Sequence, residues 1–204
     1  MKKIDLGQMD YDGSQLHHAF AYEQANELGA TICYFRGAAD VKEHLVDLED
    51  SLADDFIKAE EMWHFIIEIP EATITEMVVW QRLFISMCID TFKQSCKRVQ
   101  ITRKGDDIMI DDNLIVDDNL IVDDLPIEGS KLSVSIATLS RFSGLIHIGI
   151  NINVGEGCPV KAIGLRDFWN DLYIPIGTLG RRISRAFVEE YNDIKKATFK
   201  VIEV

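Results

Sequence analysis

The chain has 204 residues, of which 47% are apolar and 27% charged, a composition typical of a globular protein with one sizeable core. Its 34 acidic residues outnumber its 21 basic residues, and the net charge of −13 argues against nucleic acid and anionic membranes as partners. No apolar run approaches the roughly 20 residues of a membrane span, and no hydrophobic stretch follows the two N-terminal lysines, so we expect a cytoplasmic protein without a secretory signal.

The first half of the chain predicts strands on either side of a charged segment. After a short N-terminal strand, a helix is expected from about Gln15 to Leu28, where Gly29 ends it. Ala30 to Phe35 and Met62 to Ile69 are apolar, β-rich runs typical of strands. Between them, Arg36 to Glu61 is charged and irregular, and it predicts a solvated loop or a segment that closes over a ligand.

The second half predicts two amphipathic helices and further strands. Helical spacing of apolar residues indicates helices from about Thr73 to Cys96 and from Gly177 to Lys196. Strands are expected at Arg98 to Thr102, before a turn at Gly105, and at Thr198 to Val204. Because these elements follow no βαβ order and short turns join several strands, the sequence predicts a single α+β domain over residues 1–204, with a mixed, largely antiparallel sheet flanked by helices.

A perfect tandem repeat, Asp-Asn-Leu-Ile-Val-Asp, fills residues 112–123. Stacked aspartates could form a cation site, but the repeat lacks the ligand order and the glycine of a calcium loop. The repeat is therefore interpreted as a small duplication that lengthens a hairpin or loop. Elsewhere, neither the four scattered cysteines nor the histidines show metal-ligand spacing, so no metal site built by the protein alone is expected.

Two alternating segments, Lys131 to Ala137 and Leu145 to Val154, predict an antiparallel hairpin with one apolar and one polar face. The expected cross-strand pairs are Leu139–Leu145, Ala137–His147, Ser135–Gly149, Ser133–Asn151 and Lys131–Asn153. The polar face would meet either water or a ligand. Short hydrogen-bonding side chains around one lysine, with a glycine at the centre, suit a pocket for a carboxylate or phosphate.

The chain resembles the domain of unknown function 366 (DUF366) family, and its hairpin is similar to that of biotin and lipoate protein ligases. The segments that carry the resemblance span most of the chain: Asp10–Ser14, Tyr34–Gly37, Val46–Asp50, Lys104–Ile108, Lys131–Thr138, Ile146–Val154 and Ala162–Leu165. The resemblance implies the biotin and lipoate ligase fold, itself similar to class II aminoacyl-tRNA synthetase cores.

The resemblance also implies roles for individual residues. Lys131 would contact the carboxylate of the substrate and then its acyl-adenylate, stabilising developing charge as a fixed cation. Asp106 and Asp107 lie where the ligases carry an Asn-Asp pair near the nucleotide, which implies ATP and Mg²⁺ as cofactors. Arg36 and Gly37 lie where the ligases carry an arginine and a glycine-rich loop.

Two departures from the ligase pattern weaken the nucleotide half of the site. The glycine-rich loop is reduced to Arg36–Ala39, which leaves fewer bare amides for a phosphate, and Arg103–Gly105 replaces Lys-Trp-Pro.

Cys158 suggests another chemistry, because octanoyl and lipoyl transferases of this fold place a nucleophilic cysteine after the matching strand. The sequence around Cys158 lacks the Pro-Cys-Gly pattern of those transferases, so an inert loop cysteine is the competing interpretation.

The sequence therefore predicts a protein that binds a small carboxylic acid or acyl group and activates or transfers it, with Lys131 and Cys158 as candidate catalytic residues. The candidate ligand-binding residues are Arg36, Gly37, Asp106, Asp107, Ser133, Ser135, His147, Gly149, Asn151 and Asn153. The alternative is a non-catalytic ligand-binding or assembly module. Substrate identity, catalysis itself and assembly into a homo-oligomer are left open.

Overall fold

The main sheet of the computed structural model, which describes residues 1–48, 52, 56–95, 99–111, 129–169 and 174–202, has five strands in the order β1-β2-β3-β8-β7. These strands are β1 (Lys2–Gln8), β2 (Thr31–Val41), β3 (Ile57–Pro70), β7 (Ser133–Leu139) and β8 (Ser143–Asn153). Only β1 and β2 pair in parallel; the other neighbours are antiparallel. The predicted α+β class with a mixed, largely antiparallel sheet is confirmed.

A second, antiparallel sheet of three short strands adjoins the β7 edge. It contains β4 (Gln100–Lys104), β5 (Asp107–Asp111) and β6 (Ser130–Lys131). The chain passes from β6 into β7 at Leu132, whose amide donates to Ile108 and whose carbonyl accepts from Asn151. One strand segment thus joins the two sheets, and Lys131 lies at the junction.

Two long helices cover one face of the main sheet, called here the helix face. The helices are α1 (Phe20–Ala25), α2 (Ile74–Ser95), α3 (Leu165–Phe168) and α4 (Leu179–Ala197), with a 3₁₀ turn at Ile176–Thr178. The rings of Phe65, Phe84 and Phe187 pack together between the sheet, α2 and α4. Each such ring contributes about 1.5–3 kcal/mol through burial, so this layer is the main core. No helix in the described part of the chain is long and apolar enough to cross a membrane.

The opposite face carries a smaller apolar cluster that includes Phe20, Cys33, Phe35 and Ile66. Strands β2 and β3 are therefore buried on both sides, which explains their nearly continuous apolar sequences. The pairing of these strands extends through a bulge after Gly37 to Val41 and Ile57, so the irregular segment expected from Arg36 to Glu61 was too long.

The predicted first helix was also too long. Helix α1 begins only at Phe20 because Ala19 has a left-handed backbone (φ 64°), and it ends at Asn26 in the same conformation (φ 55°). Both carboxylate oxygens of Glu68 accept from the amide of Ala19 at 3.2 Å. A contact between residues far apart in the sequence therefore sets where this helix starts.

The strand expected at Thr198 to Val204 is wrong for the residues described there. Helix α4 continues to Ala197 and is followed by a turn, and Phe199, Val201 and Ile202 are 79–89% exposed. Strand propensity reflects packing on a half-buried surface, and the residues of this tail pack on no such surface.

Other predicted elements agree with the structure. The helices expected at 73–96 and 177–196 are found with ends within two residues of the predicted ones, and the strand expected from Arg98 is found at β4. The tandem repeat at 112–123 lies outside the described residues.

The β7–β8 hairpin forms in a register one residue from the predicted one. Leu139 pairs with Gly144, Ser135 with Ile148 and Ser133 with Ile150. The turn sets this register, because the Ser140 amide donates to the Ser143 carbonyl at 2.8 Å and closes a shorter loop than expected. A one-residue shift exchanges the faces of a strand. The predicted single polar face is therefore wrong: Ser133 and Ser135 share the helix-face side with the β8 isoleucines, and His147 and Gly149 lie on the opposite face.

Candidate functional site

A cavity of about 210 Å³ lies at the β7 edge of the main sheet. Part of its lining is polar and includes Asp106, Asp107, Lys131 and Ser135 from the junction between the two sheets. The apolar part consists of the side chains of Val41, Leu45, Val46, Ile57, Val134 and Ile136. Tyr11, His44, Asp47 and His147 complete the lining. A pocket with a charged group beside an apolar wall suits a small ligand that has a polar head and an apolar body.

Lys131 has a fixed backbone and a partly exposed ammonium group. Its amide donates to the carbonyl of Lys161 at 3.0 Å, and its own carbonyl accepts from the amide of Ile163 at 3.0 Å. The side-chain amide of Asn151 donates to that same carbonyl at 3.3 Å. The ammonium lies 3.0 Å from a carboxylate oxygen of Asp107, and the Lys131 side chain is 40% exposed. The cation is thus positioned by the fold while still reachable from the cavity.

Asp106 is held more tightly than Asp107. One of its oxygens accepts from Arg82 at 3.2 Å, and the other accepts from Gln81 and Ser135, each at 3.1 Å. Among the described residues, no three acidic, histidine or cysteine side chains gather as metal ligands. A Mg²⁺ ion at Asp106 and Asp107 would therefore need oxygens from a nucleotide and water to complete its shell, which is how this ion is usually bound.

A stack of aromatic rings lies beneath the cavity. Tyr11 stacks on His147 with ring centroids 3.8 Å apart, and Nε2 of His147 lies 3.2 Å from Nδ1 of His64. Burial lowers the pKa of His64 to about 4 and holds the pKa of His147 well below its usual value. Both rings are therefore neutral at pH 7.

The hydrogen bonds assign the tautomers of this histidine pair. Nε2 of His64 lies 3.3 Å from the carbonyl of Gly37, which can only accept, so His64 donates there and its Nδ1 accepts from His147. Nδ1 of His147 is then an acceptor. An uncharged ring with this tautomer is suited to form an aromatic wall rather than to balance a charged ligand.

Most other polar residues of the hairpin hold the site together without lining the larger cavity. Ser133 is buried and accepts from the amide of Ile108 at 2.8 Å, which ties β5 to β7. Asn151 also donates to Ile163 at 3.2 Å, and Asn153 donates to Glu60 at 2.6 Å. At Gly149, a Cβ would lie 2.5 Å from the Met62 side chain, so this glycine makes room for a core residue.

Arg36 and Gly37 do not line the cavity. Arg36 lies on the helix face and pairs with Glu61 at 2.6 Å, and Glu61 also accepts from Arg166 at 3.0 Å. At Gly37, a Cβ would lie only 2.0 Å from the carbonyl oxygen of Met9, so the backbone crosses closely there. Gly37 is linked to the site through the hydrogen bond that its carbonyl accepts from His64.

Cys158 lines a second, smaller cavity of about 70 Å³. Lys131, Val134 and Ile57 line both cavities, so the two adjoin at the lysine. Asn151 and Lys58 also line the smaller one. The structure thus brings the two candidate catalytic residues, Lys131 and Cys158, to one hollow.

Sequence reasoning missed the aromatic stack. Residues from Val41 to Asp47 line the larger cavity, and they lie within the segment from Arg36 to Glu61 that was expected either as a solvated loop or as a segment that closes over a ligand. Tyr11 lies inside the Asp10–Ser14 motif, which was a usable signal. In that motif, Asp12 and Ser14 bond to each other at the surface. His64 had no signal, because its partner His147 is 83 residues away.

The chain matches the family model described as "Domain of unknown function (DUF366)" over residues 1–116 and 120–202. It is similar to a protein of unknown function from Pyrococcus horikoshi, with 33% identity, 99% of each chain covered and a TM-score of 0.79. It is 27% identical over 165 residues to an uncharacterized protein of Methanocaldococcus jannaschii, covering 78% of this chain but only 66% of that relative, just under two thirds of its length.

More distant similarity is limited to the fold. A lipoate-protein ligase A bound with ATP has 12% identity and a TM-score of 0.53, with 94% of this chain and 86% of the other covered. A biotin protein ligase from Aquifex aeolicus has 11% identity and a TM-score of 0.52, with 95% and 72% covered. The overall architecture is therefore that of the biotin and lipoate ligases.

Proposed function

The chain belongs to the DUF366 family, and from the geometry of its site we propose that it binds a small carboxylic acid or acyl group at Lys131. The main support is the position of the Lys131 ammonium, which borders two adjoining cavities with apolar walls. The volume of about 210 Å³ lies below the usual range of roughly 300–1,000 Å³ for ligand pockets. A short ligand is therefore favoured.

The carboxylate of the ligand would take over part of the role of Asp107 as the partner of Lys131. Its body would lie along Val41, Leu45 and Val134, where burial of each CH₂ contributes about 0.8 kcal/mol. His147 and Tyr11 would pack flat against it. An ammonium held 3.0 Å from one carboxylate by a fixed backbone needs little rearrangement to bind another.

Activation with ATP and Mg²⁺ is the first chemical extension. A lipoate-protein ligase of this fold has been solved with ATP bound, and Asp106 and Asp107 are the residues here that would hold Mg²⁺. The ion would offset phosphate charge during adenyl transfer. Lys131 would hold the attacking carboxylate, and the neutral aromatic floor would exclude water from that group.

Acyl transfer through Cys158 is the second candidate, favoured because Cys158 and Lys131 line the same cavity. The thiolate sulfur would attack the carbonyl carbon of an acyl thioester, a bond from carbon to Cys158 would form, and the donor thiol would leave with the proton that Cys158 gave up. The protein would then carry the acyl group as a thioester. The alternative to both enzymatic functions is a module that binds the ligand without catalysing a reaction.

Thermal stabilisation by a series of short- and medium-chain carboxylates tests the binding proposal. The wild type should be stabilised by some members of the series, and Lys131→Met should weaken the apparent affinity at least about tenfold, since a charge-assisted contact is worth about 1.5–3 kcal/mol. Lys104→Met is the matched control, because it removes the same charge from an exposed position on the small sheet. Equal losses in both variants, or no stabilisation of the wild type, would contradict the proposal.

Two further assays separate the chemistries. Carboxylate-dependent exchange of pyrophosphate into ATP supports adenylation, whereas an acyl adduct that is absent from Cys158→Ser in mass spectrometry supports transfer. Stabilisation by a carboxylate without either activity favours the binding module.

A further inference from the structure

A concentrated basic patch lies at the start of α4, in a protein whose net charge is −13. Three of the nine arginines of the chain, Arg181, Arg182 and Arg185, fall within five residues there. With Lys3 and Thr178 they line an open concavity of about 460 Å³. All four charged residues that line it are cations, so the local charge is opposite to that of the whole chain.

The patch stands on a rigid base. At Gly180, a Cβ would lie 2.5 Å from the ring of Trp63, so the first turn of α4 packs directly on the sheet. Ile183 and Phe187 of the same helix are buried, and the indole of Trp63 donates to the carbonyl of Ile176 at 2.9 Å just before the helix. The arginines therefore project from a fixed backbone.

The cations of the patch are only weakly neutralised within the described part of the chain. Arg185 lies 3.8 Å from Glu189, in a pair whose side chains are 67% and 71% exposed and therefore strongly screened. Arg182 donates to the uncharged Gln94 at 3.2 Å. The ammonium of Lys3 lies 5.9 Å from the ring centroid of Tyr34, and Arg181 is close enough to Tyr34 to act on it electrostatically. The Tyr34 hydroxyl donates to the carboxylate of Asp5 at 2.8 Å, so Asp5 is the nearby acidic group, but neither Lys3 nor Arg181 forms an ion pair with it. The arrangement leaves donors available to an anion.

We propose that this patch binds an oligophosphate, such as inorganic tripolyphosphate or the phosphate chain of a nucleotide. Guanidinium groups match phosphate oxygens in pairs, and a concavity more than twice the volume of the Lys131 cavity exceeds what one phosphate fills. A small, densely charged anion gains the full local attraction of four cations. A large acidic protein would meet the repulsion of the whole chain as well.

The patch is separate from the Lys131 site. Lys3 belongs to β1 and the Lys131 site adjoins β7, at opposite edges of the five-stranded sheet. Four strand spacings of about 4.8 Å place these edges on the order of 19 Å apart. Oligophosphate binding at the patch therefore neither requires nor follows from carboxylate binding at Lys131.

Isothermal titration with tripolyphosphate at physiological ionic strength tests this site. The wild type should bind one tripolyphosphate, and Arg181→Gln/Arg182→Gln/Arg185→Gln should weaken binding at least tenfold. Lys195→Gln/Lys196→Gln/Lys200→Gln removes the same number of charges near the other end of α4 and should change affinity less than about twofold. Equal affinities for tripolyphosphate and ATP would mean that the free phosphate chain suffices. Tighter binding of ATP that is lost in the arginine triple variant would mean that the phosphate chain belongs to a nucleotide, because ATP bound at Asp106 and Asp107 would be retained in that variant.

Hydrogen exchange measured on the wild type, with and without tripolyphosphate, does not depend on whether the variants fold. Tripolyphosphate should protect the amides of residues 178–185 and leave those near Lys131 unchanged. Absence of binding, equal loss in both triple variants, or protection elsewhere would overturn the proposal. It would also be overturned if a glutamate-rich peptide bound where tripolyphosphate did not, because the patch would then be a protein-docking surface.

Discussion

The chemistry of the candidate site depends on how the fold treats one lysine. The backbone of Lys131 bonds to Lys161, Ile163 and Asn151, and its ammonium lies 3.0 Å from a carboxylate oxygen of Asp107. Asp107 therefore acts as an internal competitor for any anionic ligand. Removing the negative charge at 107 should favour a carboxylate from solution.

Asp107→Asn should tighten the binding of a short carboxylate by up to about fivefold, because partly exposed ion pairs are worth about 0.2–1 kcal/mol. Isothermal titration measures the change. Asp111→Asn, at the other end of β5, is the matched control and should leave the affinity unchanged. Weaker carboxylate binding by Asp107→Asn would mean that Asp107 positions the lysine instead of competing for it.

The two buried histidines should make stability depend on pH in a defined window. An unfolded histidine takes up a proton below about pH 6.5, whereas burial lowers the pKa of folded His64 to about 4. The unfolded state thus binds more protons between these values, and stability is lost as the pH falls through that range. Between pH 7.5 and 5.5, His64 should cost about 1.4 kcal/mol of unfolding free energy, and His147, whose pKa is lowered in the same direction by burial, should add to this loss.

Urea unfolding at several pH values checks this, with His147→Gln as the variant. The variant keeps a polar side chain but should lose about half of the pH dependence. If wild type and variant respond equally to pH over this window, the histidine pair is not the cause.

Several site residues could be found from the sequence because alternation and family motifs mark them. Lys131, Asp106, Asp107, Ser135 and His147 all line one cavity. The positions of Arg36 and Gly37 could not be found in this way, because the direction of a side chain depends on the pleat and on the bulge after Gly37.

At the scale of elements, the bulge in β2 shows how the close approach of two backbone segments requires a glycine at one position. The carbonyl of Met9 approaches Gly37 so closely that no side chain fits between them. The amide of Met9 donates to the carbonyl of Arg36 at 3.1 Å, so the crossing is part of the sheet. Glycine at 37 is therefore explained by packing without any ligand.

Gly37→Ala should destabilise the protein by about 1–3 kcal/mol through overpacking against a backbone atom. Gly177→Ala is the control, because within the described part of the chain its Cβ would meet only the Arg36 side chain, at 3.9 Å. Chemical unfolding measures both variants. A neutral Gly37→Ala would show that the crossing can relax and would return Gly37 to the list of ligand contacts.

Helices and strands with strong periodicity could be predicted from the sequence, whereas the register of the β7–β8 hairpin and the first residue of α1 could not. Seven alternating residues identify β7, but the Ser140–Ser143 turn decides which face each serine occupies. Similarly, Glu68 decides where α1 begins. Such contacts join residues that local patterns treat separately, so the sequence-based hairpin was shifted by one residue.

At the scale of the whole molecule, the sheet separates two chemically different regions. Its β7 edge carries the Lys131 cavity, whose polar lining mixes three carboxylates with one ammonium, and its β1 edge carries a concavity whose charged lining residues are all cations. The composition predicted an acidic protein that does not attract nucleic acid or anionic membranes over long distances, and it left a local basic pocket open. The sequence places three arginines within five residues, but only the fold brings Lys3 of β1 beside them, since net charge contains no positional information.

The most direct measurement of the central claim is a crystal structure of the protein with hexanoate. The carboxylate should lie about 3 Å from Nζ of Lys131, with the carbon chain against Val41, Leu45 and Val134. Hexanoate bound anywhere else, or a cavity that stays empty at concentrations that stabilise the protein, would contradict the assignment of Lys131 as the ligand-binding cation.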